Sequence, residues 1–151
     1  GFAGSRSFAF EEFDPFWQAV VDADILVFVT PTWMGQHSSV AQRVLERLDA
    51  ELSETDEQGR PILFDKVAIA GVLGNEDGAH HISAILFQAL NDIGYTIPAQ
   101  TSVYWNGEAM QTVDYKDLDE TPEAVSSAIT TASRNAAHLA RQLTAQAYPA
   151  E

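Results

Sequence analysis

An unbroken run of apolar, mostly β-branched residues from Ile25 to Val29 constrains the fold of this chain more than any other stretch. A strand that does not alternate polar and apolar residues is typical of a parallel sheet covered on both faces. Thr30-Pro31-Thr32 is predicted to end the strand, because proline cannot donate to a β-ladder. A glycine-containing loop follows, and Ser38 or Ser39 can then cap a helix. The unit is a strand, a loop suited to a ligand, and a helix.

The same unit occurs twice more along the chain. A second apolar run, Lys66–Leu73, precedes a glycine-containing loop and a helix to about Ile93. A third strand, about Gln100–Trp105, precedes an acidic loop and a helix from Thr121-Pro122-Glu123 to about Ala145. Alternating strands and helices predict an α/β fold with a parallel sheet. Because right-handed crossovers put all carboxyl ends on one edge, the loops Thr30–Ser39, Gly74–His81 and Trp105–Tyr115 should meet there.

Apolar residues at helical spacing predict the buried face of each helix. Residues 1–13 have no clear period and are predicted to be irregular, within one domain covering residues 1–151. The predicted buried positions are Phe16, Ala19 and Val20 on a helix over Pro15–Val21; Val40, Val44, Leu45, Leu48 and Leu52 on a helix over Ser39–Leu52; Ile82, Ile85, Leu86, Ala89, Leu90 and Ile93; and Val125, Ile129, Ala132, Ala136, Leu139 and Leu143.

Charge and composition exclude several classes of protein. A formal net charge of -14 argues against binding of nucleic acid or of anionic membrane surfaces. Cysteine is absent, which excludes disulfides, thiolate catalysis and cysteine–metal sites. No apolar run is long enough to span a bilayer and no signal peptide is visible, so we expect a soluble, cytoplasmic protein.

The three loops are rich in glycine, amide and aromatic side chains and lack a recognisable set of nucleophile, base and orienting group. Main-chain N–H groups and aromatic faces suit a flat conjugated ligand. With a redox cofactor the ring carries the chemistry, and the protein supplies position and electrostatics. We therefore expect no catalytic side chain.

Two segments resemble a known family. DILVFVTPTWMGQHSSVAQRVLERLD is similar to the third strand, flavin loop and third helix of flavodoxin-like NAD(P)H-dependent FMN reductases and quinone reductases. KVAIAGVLGNEDGAHH is similar to the fourth strand and second flavin loop of that family. The resemblance implies a flavodoxin-like three-layer α/β/α sandwich. It also implies hydride transfer from NAD(P)H through FMN to a quinone or another small acceptor, and a homo-oligomer.

The resemblance also implies which residues form the site. The loop from Pro31 to Gly35 would wrap one side of the isoalloxazine ring, and the loop from Gly74 to Gly78 would hold its pyrimidine end through main-chain donors. The implied cofactor-binding residues are Pro31, Thr32, Trp33, Met34, Gly35, Gly74, Asn75, Glu76, Asp77 and Gly78. His80, Tyr104 and Trp105 would lie where nicotinamide or a quinone stacks.

The family fold has five parallel strands and opens with a strand whose following loop holds the FMN phosphate at a helix N-terminus. This sequence begins after that region, so we expect the sheet to lack its first strands. Gly4-Ser5-Arg6-Ser7 resembles a phosphate loop only superficially, because no strand precedes it. A first strand without its neighbour would expose an apolar edge, and FMN affinity would fall.

Two other functions remain open. A flavodoxin-like domain could carry electrons or act as a structural partner without a nicotinamide site. Alternatively, Glu76 and Asp77 could bind magnesium for phosphoryl transfer or hydrolysis, although acids there also suit the positive end of the next helix. His80 and His81 are adjacent on a helix and point apart, so they are predicted to orient the helix rather than bind a metal.

Overall fold

The computed structural model describes the backbone of residues 10–149 and the side chains of residues 15–149. It contains strands and helices in alternation, as the sequence predicts. The strands are β1 (Ile25–Trp33), β2 (Gln36–His37), β3 (Val67–Gly74) and β4 (Ser102–Asn106). The helices are α1 (Phe10–Asp22), α2 (Ser39–Asp49), α3 (Ala79–Asp92) and α4 (Glu123–Ala145), with a short 3-10 turn at Tyr115–Asp117.

The sheet has the strand order β2-β1-β3-β4. β3 lies in the centre and pairs in parallel with both β1 and β4, whereas β2 pairs antiparallel with the end of β1. Ile25 lies beside Val67, and Gly71 lies beside Val103. The predicted α/β fold with a parallel core sheet is confirmed, and the carboxyl ends of three strands lie on one edge.

The prediction that Thr30-Pro31-Thr32 ends the first strand is wrong, because β1 continues to Trp33. Pro31 lies beside Leu73 in the parallel register. Proline is compatible with an edge position, where its missing N–H removes no ladder bond. Within residues 10–149, β1 has a strand on its outer side only at Thr32 and Trp33, where β2 pairs with it.

The small strand β2 was not predicted. Met34 and Gly35 form a two-residue turn between β1 and β2, with φ angles of 53° and 71°. Positive φ at both central residues is the geometry of the hairpin turn whose twist matches that of its strands. Methionine is an uncommon residue in that conformation, so the sequence contained only Gly35 as a signal.

The observed helix ends agree with the sequence prediction at Ser38 and differ from it at two other places. Ser38 caps α2, as one of two predicted candidates, and its hydroxyl accepts a hydrogen bond from the Ala41 N–H at 3.1 Å. The helix ends at Asp49 and not at Leu52. Helix α1 begins at Phe10 and contains Pro15, so residues 10–13 are helical rather than irregular. The predicted irregular structure of residues 1–9 lies outside the described residues.

The main core lies between the sheet and the helices α2 and α3. It is formed by the even-numbered side chains of β1 and β3 together with the inner faces of these helices and part of α1. The predicted inner face of α3 is confirmed, whereas Val40 and Leu52 are exposed and Ala41 takes the predicted inward position on α2. On α1, Val20 is buried but Phe16 and Ala19 are exposed.

Helix α4 covers the opposite face of the sheet over β3 and β4. Ala132, Ala136, Ala140 and Leu143 pack there against Val67 and Ile69. Small side chains allow a helix to lie close to a sheet. Together with α2 and α3, this helix completes the three layers implied by the resemblance.

The same face is open over β1. Val27 and Val29 are 58% and 54% exposed, and Ile129 of α4 is 45% exposed, contrary to its predicted burial. These side chains line an apolar recess of about 390 Å³. The expected exposure of apolar surface beside the first strand is therefore seen within the described residues.

Lys66 links the end of α1 to the sheet through two hydrogen bonds. Its ammonium group, Nζ, donates hydrogen bonds to the carbonyl oxygens of Val21 and Ala23 at 2.6 and 2.9 Å, at the end of the helix. Burial lowers the pKa of Lys66, while Asp24 and Asp22 oppose that shift. A cation beside the last carbonyls of a helix also complements the helix dipole.

Tyr95 is a buried phenol with a predicted effect on stability. It is 1% exposed, and its hydroxyl has no hydrogen-bond partner among the described residues. Since an unpartnered buried hydroxyl destabilises the fold, Tyr95→Phe should leave the free energy of unfolding at pH 7 unchanged or raise it by up to about 1 kcal/mol.

The same variant should change the alkaline pH dependence. Burial raises the pKa of Tyr95 above its ordinary value of 10.0. Above that pH the unfolded state loses the phenolic proton first, so this group makes stability fall as pH rises. Urea unfolding at pH 7.5 and 10.5 should show a smaller loss in Tyr95→Phe than in the parent. An equal loss in both proteins would contradict the assignment.

Candidate functional site

A cleft of about 440 Å³ lies at the carboxyl edge of the sheet, where the three loops converge as predicted. Residues from all three loops line it, although they are far apart in the sequence. The lining residues are Pro31, Thr32, Trp33, Leu73, Gly74, Asn75, Glu76, Trp105, Asp114, Tyr115 and Lys116. Seven of the sequence-predicted site residues are thus brought together by the parallel strands.

Two of the loops hold each other in place. A Glu76 carboxylate oxygen, Oε1, accepts a hydrogen bond from the Met34 N–H at 2.9 Å. Gly78 adopts a φ of 147°, and a Cβ placed there would lie 2.9 Å from the Cα of Gly35. A hydrogen bond of 3.1 Å also joins His81 Nε2 to Gln36 Oε1. The hairpin after β1 and the loop after β3 therefore form one continuous wall.

At two glycines beside the cleft, the main chain packs closely against neighbouring residues. A Cβ at Gly74 would lie 2.6 Å from Cβ of Thr32, and a Cβ at Gly107 would lie 2.7 Å from the Trp105 ring. No side chain fits at either position without a shift in its neighbours. The cleft therefore offers backbone, rather than side chains, along part of its wall.

Thr32 carries an unpaired hydroxyl in the wall of the cleft. Its side chain is 3% exposed, and Oγ1 has no hydrogen-bond partner in the described part of the chain. Buried polar atoms are normally hydrogen-bonded, but this oxygen has no exposed surface, so a ligand in the cleft could contact it only if the wall shifts.

Aromatic side chains form another part of the cleft lining. Trp33 is 57% exposed, which leaves an indole ring available for stacking. Trp105 and Tyr115 meet edge to face, with ring centroids 5.5 Å apart. Such rings provide flat apolar faces for a conjugated ligand.

Six predicted site residues are not among those that line the cleft: Met34, Gly35, Asp77, Gly78, His80 and Tyr104. Met34 is 89% exposed at the tip of the hairpin, and the Asp77 carboxylate accepts a hydrogen bond from the Gly78 N–H at 2.7 Å. His80 Nε2 and the Tyr104 hydroxyl are hydrogen-bonded to each other at 3.1 Å. These residues support the loops around the cleft, and their predicted roles toward a ligand remain predictions.

Four lining residues were not predicted as site residues, namely Leu73, Asp114, Tyr115 and Lys116. Asp114 accepts a hydrogen bond from the Asn75 side-chain amide at 2.9 Å and lies 3.6 Å from the Lys116 ammonium. Their loop follows β4, so convergence of the strands brings them to the cleft. The sequence signal was the position of the loop, because acidic loop residues by themselves indicate only solvated surface.

The described residues contain no group of three or more histidine, aspartate or glutamate side chains that could hold a metal ion. Glu76 and Asp77 are engaged with main-chain N–H groups. Between residues 10 and 149, no helix has both the length and the apolar character needed to cross a membrane.

Comparison with known proteins identifies the family. The sequence model of the NADPH-dependent FMN reductase family matches residues 7–110. The chain belongs to this family. The flavodoxin-like resemblance read from the strand and loop segments is therefore confirmed.

Two curated proteins are similar over most of this chain. One is the 8-demethyl-8-aminoriboflavin-5'-phosphate synthase of Streptomyces davaonensis, 33% identical over 107 residues, which are 71% of this chain and 42% of that protein. The other is the divalent metal cation transporter MntH of Mycobacterium bovis, 38% identical over 112 residues, which are 74% of this chain and 16% of that protein. The chain thus spans less than half the length of either relative.

Two solved structures show the flavodoxin-like fold. RosB, in a crystal structure with the bound intermediate 8-demethyl-8-formylriboflavin-5'-phosphate, matches with a TM-score of 0.82 and 30% identity, over 91% of this chain and 55% of that chain. A WrbA-like flavodoxin from Agrobacterium tumefaciens matches in fold, with a TM-score of 0.62 and 17% identity over 85% of this chain and 73% of that chain.

The orphaned hydroxyl of Thr32 provides a test of flavin binding in this family member. Thr32→Val removes a buried hydroxyl that has no partner, so the flavin-free protein should keep its stability or gain up to about 1 kcal/mol. If the hydroxyl bonds to FMN, affinity for FMN should fall by about tenfold, equivalent to about 1.4 kcal/mol. Urea unfolding and an FMN titration measure the two effects, and an unchanged dissociation constant would show that the hydroxyl does not contact the flavin.

Proposed function

We propose that this chain binds FMN in the cleft at the carboxyl edge of its sheet and serves as an NAD(P)H-dependent reductase of a quinone or another small acceptor. The observation that carries the proposal is a cleft at the carboxyl edge lined by Gly74 main chain and by the indole rings of Trp33 and Trp105, in a chain of the FMN reductase family. When bound, FMN would supply the hydride-accepting ring.

The lining residues fit the isoalloxazine ring of FMN. Trp33 and Trp105 present aromatic faces, and Gly74 contributes main chain to the lining. Asn75 adds a side-chain amide that can meet ring heteroatoms. The role of this chain is then to bind and orient the ring and to exclude water from one of its faces.

The lining residues provide few groups that could bind the phosphate of FMN. Lys116 is the only cationic side chain among the lining residues, and it lies beside the carboxylate of Asp114. Charge-assisted contacts are a major source of phosphate affinity. We therefore expect ring contacts to supply most of the affinity that these residues provide.

An absorption spectrum from about 300 to 550 nm with an FMN titration tests the proposal. Quenching of free-FMN fluorescence with a micromolar or tighter dissociation constant supports it. Steady-state oxidation of NADH and NADPH with FMN and a soluble quinone then tests the reductase activity. Flavin-free protein that gains no absorbance or quenching on addition of FMN would contradict the proposal for this chain.

In a second candidate function, the flavin phosphate is the substrate and not a cofactor. Two of the relatives, an aminoriboflavin phosphate synthase and RosB with a bound riboflavin phosphate derivative, are 33% and 30% identical to this chain. Recovery of the flavin after incubation, followed by mass spectrometry, discriminates the two functions. An unchanged FMN mass favours the cofactor role, and a new flavin species favours the substrate role.

The remaining alternatives receive less support from the geometry. An electron carrier without a nicotinamide site would bind FMN but would not oxidise NAD(P)H. A magnesium-dependent hydrolase would need Glu76 and Asp77 free, whereas both carboxylates bind main-chain N–H groups. Homo-oligomer formation stays a prediction, which sedimentation of the FMN-loaded protein would test.

A further inference from the structure

A four-residue segment after α4 is tied to the amino edge of the sheet. This segment, residues 146–149, which we call the strap, contacts the connection between α2 and β3 through the main chain and side chain of Tyr148. We propose that the strap keeps the last turns of α4 closed against the sheet, and that Arg60 is its central contact. The cleft lies at the opposite edge, so this inference does not depend on flavin binding.

Both main-chain polar groups of Tyr148 are bonded to charged side chains. Its N–H donates a hydrogen bond to Oδ1 of Asp65 at 2.7 Å, and its carbonyl oxygen accepts one from Nη1 of Arg60 at 2.7 Å. Hydrogen bonds that involve a charged group are roughly twice as strong as those between neutral groups. The strap is thus held at one residue by partners that are 83 and 88 positions away in the sequence.

The side chain of Tyr148 reaches two further segments. Its hydroxyl shares a hydrogen bond of 2.9 Å with the Thr96 hydroxyl, and its ring meets Phe64 edge to face, with centroids 5.8 Å apart. Thr96 is itself fixed to the sheet, because its main chain bonds to Lys66 and Ala68 around the start of β3. One tyrosine therefore joins the end of α4 to the segments that lead into β3 and β4.

Arg60 bonds to three acceptors at once. Its guanidinium forms ion pairs of 2.7 Å with Asp56 and 2.9 Å with Asp65, in addition to its bond to the Tyr148 carbonyl. The side chain is 13% exposed, so solvent screens these contacts less than it would on an open surface. A guanidinium presents five N–H donors in a planar fork, whereas an ammonium group is a compact point charge. Arginine can therefore hold the loop and the strap together, which lysine could not do in the same geometry.

Helix α4 is expected to open readily at its end without such a contact. The residues that face the sheet along its second half are mostly alanines, and each alanine side chain buries only one methyl group. On the side toward β1 the helix borders the open recess, which leaves Ile129 45% exposed. Its last turn, residues 142–145, contains no basic side chain that could bind the final carbonyls. Few buried apolar contacts are typical of segments that open locally.

The strap should therefore control how often the end of α4 opens. Opening of the last turns moves residues 146–149 away from the loop before β3 and breaks the bonds made by Tyr148. The population of the open end then falls as the strength of these contacts rises. The same contacts also break when the whole protein unfolds, so the experiment has to separate local opening from global unfolding.

Trypsin provides the measurement, because Arg141 lies exposed near the end of α4. Cleavage after an arginine in a helix requires local opening, and its rate follows the open population when reclosing is fast. Tyr148→Ala removes the ring and hydroxyl contacts of the strap. We expect cleavage after Arg141 to be about tenfold faster in this variant, equivalent to about 1.4 kcal/mol, with the products identified by mass spectrometry.

Ile82→Val is a control that is matched in global stability. Ile82 is buried in the main core near the start of α3, and the loss of one methylene there should lower the free energy of unfolding by about 1 kcal/mol. Urea unfolding measures the loss of stability in both variants. Because Ile82→Val leaves the strap intact, cleavage after Arg141 should stay within about twofold of the parent rate.

Two further variants test which contacts of the strap matter. Tyr148→Phe keeps the ring and removes only the bond to Thr96, so cleavage after Arg141 should be about threefold faster. Arg60→Lys keeps the charge but not the planar fork, and it should accelerate cleavage about as much as Tyr148→Ala. Hydrogen exchange of the amides of residues 136–145 gives a second readout, with the amides of α3 as the reference.

Several results would overturn the inference. These are cleavage of Tyr148→Ala at the parent rate, equal acceleration in Ile82→Val, and a parent protein that is cleaved after Arg141 as fast as the unfolded chain. Cleavage of Arg60→Lys at the parent rate would overturn the central role of Arg60. If Tyr148→Ala does not fold, Tyr148→Phe and Arg60→Lys decide the inference, and parent rates in both reject it.

Discussion

Gly78→Ala should lower the free energy of unfolding more than any other glycine-to-alanine substitution at the site. The residue has a φ of 147°, a conformation that alanine rarely adopts, and the added Cβ would lie 2.9 Å from the Gly35 Cα. The atom that it meets belongs to main chain and cannot rotate away. Backbone strain of about 1–3 kcal/mol and overpacking of a similar size predict a loss of about 2–5 kcal/mol in the free energy of unfolding.

The consequence for the site follows from the same contact. Gly78 and Gly35 hold the loop after β3 against the hairpin, so separation of the two would weaken the Glu76–Met34 hydrogen bond of 2.9 Å. We expect FMN affinity to fall together with stability, by at least tenfold. Urea unfolding of the flavin-free protein and an FMN titration at low temperature measure the two losses separately.

Gly59→Ala is the matched control for this experiment. Gly59 also has a positive φ, of 79°, but a Cβ added there meets nothing within 4 Å. Gly59→Ala should lower the free energy of unfolding by only about 1 kcal/mol, the strain of an alanine in the left-handed conformation. FMN binding should be unchanged. If Gly78→Ala proves no more damaging than Gly59→Ala, the contact between the loops is not what holds the site together.

Trp33→Ala should produce the largest loss of FMN affinity among side-chain truncations. The residue is 57% exposed and forms part of the cleft wall. Stacking of a base on an aromatic side chain contributes about 1–3 kcal/mol, and a similar contribution here predicts a five- to 150-fold weaker dissociation constant. Because the ring is mostly exposed, the free energy of unfolding without flavin should change little. Quenching of FMN fluorescence measures the affinity.

Met34→Ala separates a specific ring contact from a general loss of apolar surface. Met34 is adjacent in sequence and 89% exposed, but it does not line the cleft. Its truncation should leave FMN affinity within about twofold of the parent. Equal losses in the two variants would contradict the position of the cleft and would restore Met34 as a flavin-binding residue.

Much of the fold could be predicted because it depends on local patterns. The apolar runs that became β1 and β3 lack alternation, which is typical of a parallel sheet, although only β3 is covered on both faces within the described residues. The cap at Ser38 and the start of α4 after Pro122 are each determined by a few neighbouring residues. These signals also determined which three loops meet at the carboxyl edge, since parallel strands place their ends together.

The details of the site depended on contacts between distant residues. Pro31 stays in β1 because the outer side of the strand has no ladder at that position among the described residues. Lys116 and Asp114 joined the cleft through the path of their loop. Neither feature has a signature within a few residues of itself, so sequence patterns could not have shown it.

The sequence by itself therefore determined the type and order of the main strands and helices, the edge of the sheet at which the three loops converge, and the family. Only the tertiary structure decided which predicted residues form the wall of the cleft, which merely support it, and which apolar residues stay exposed. Ile129 illustrates the physical reason: its helical spacing predicts burial, but burial requires a neighbour, and α4 covers mainly β3 and β4. Periodicity determines which side of a helix is apolar, whereas packing decides how much of that side is covered.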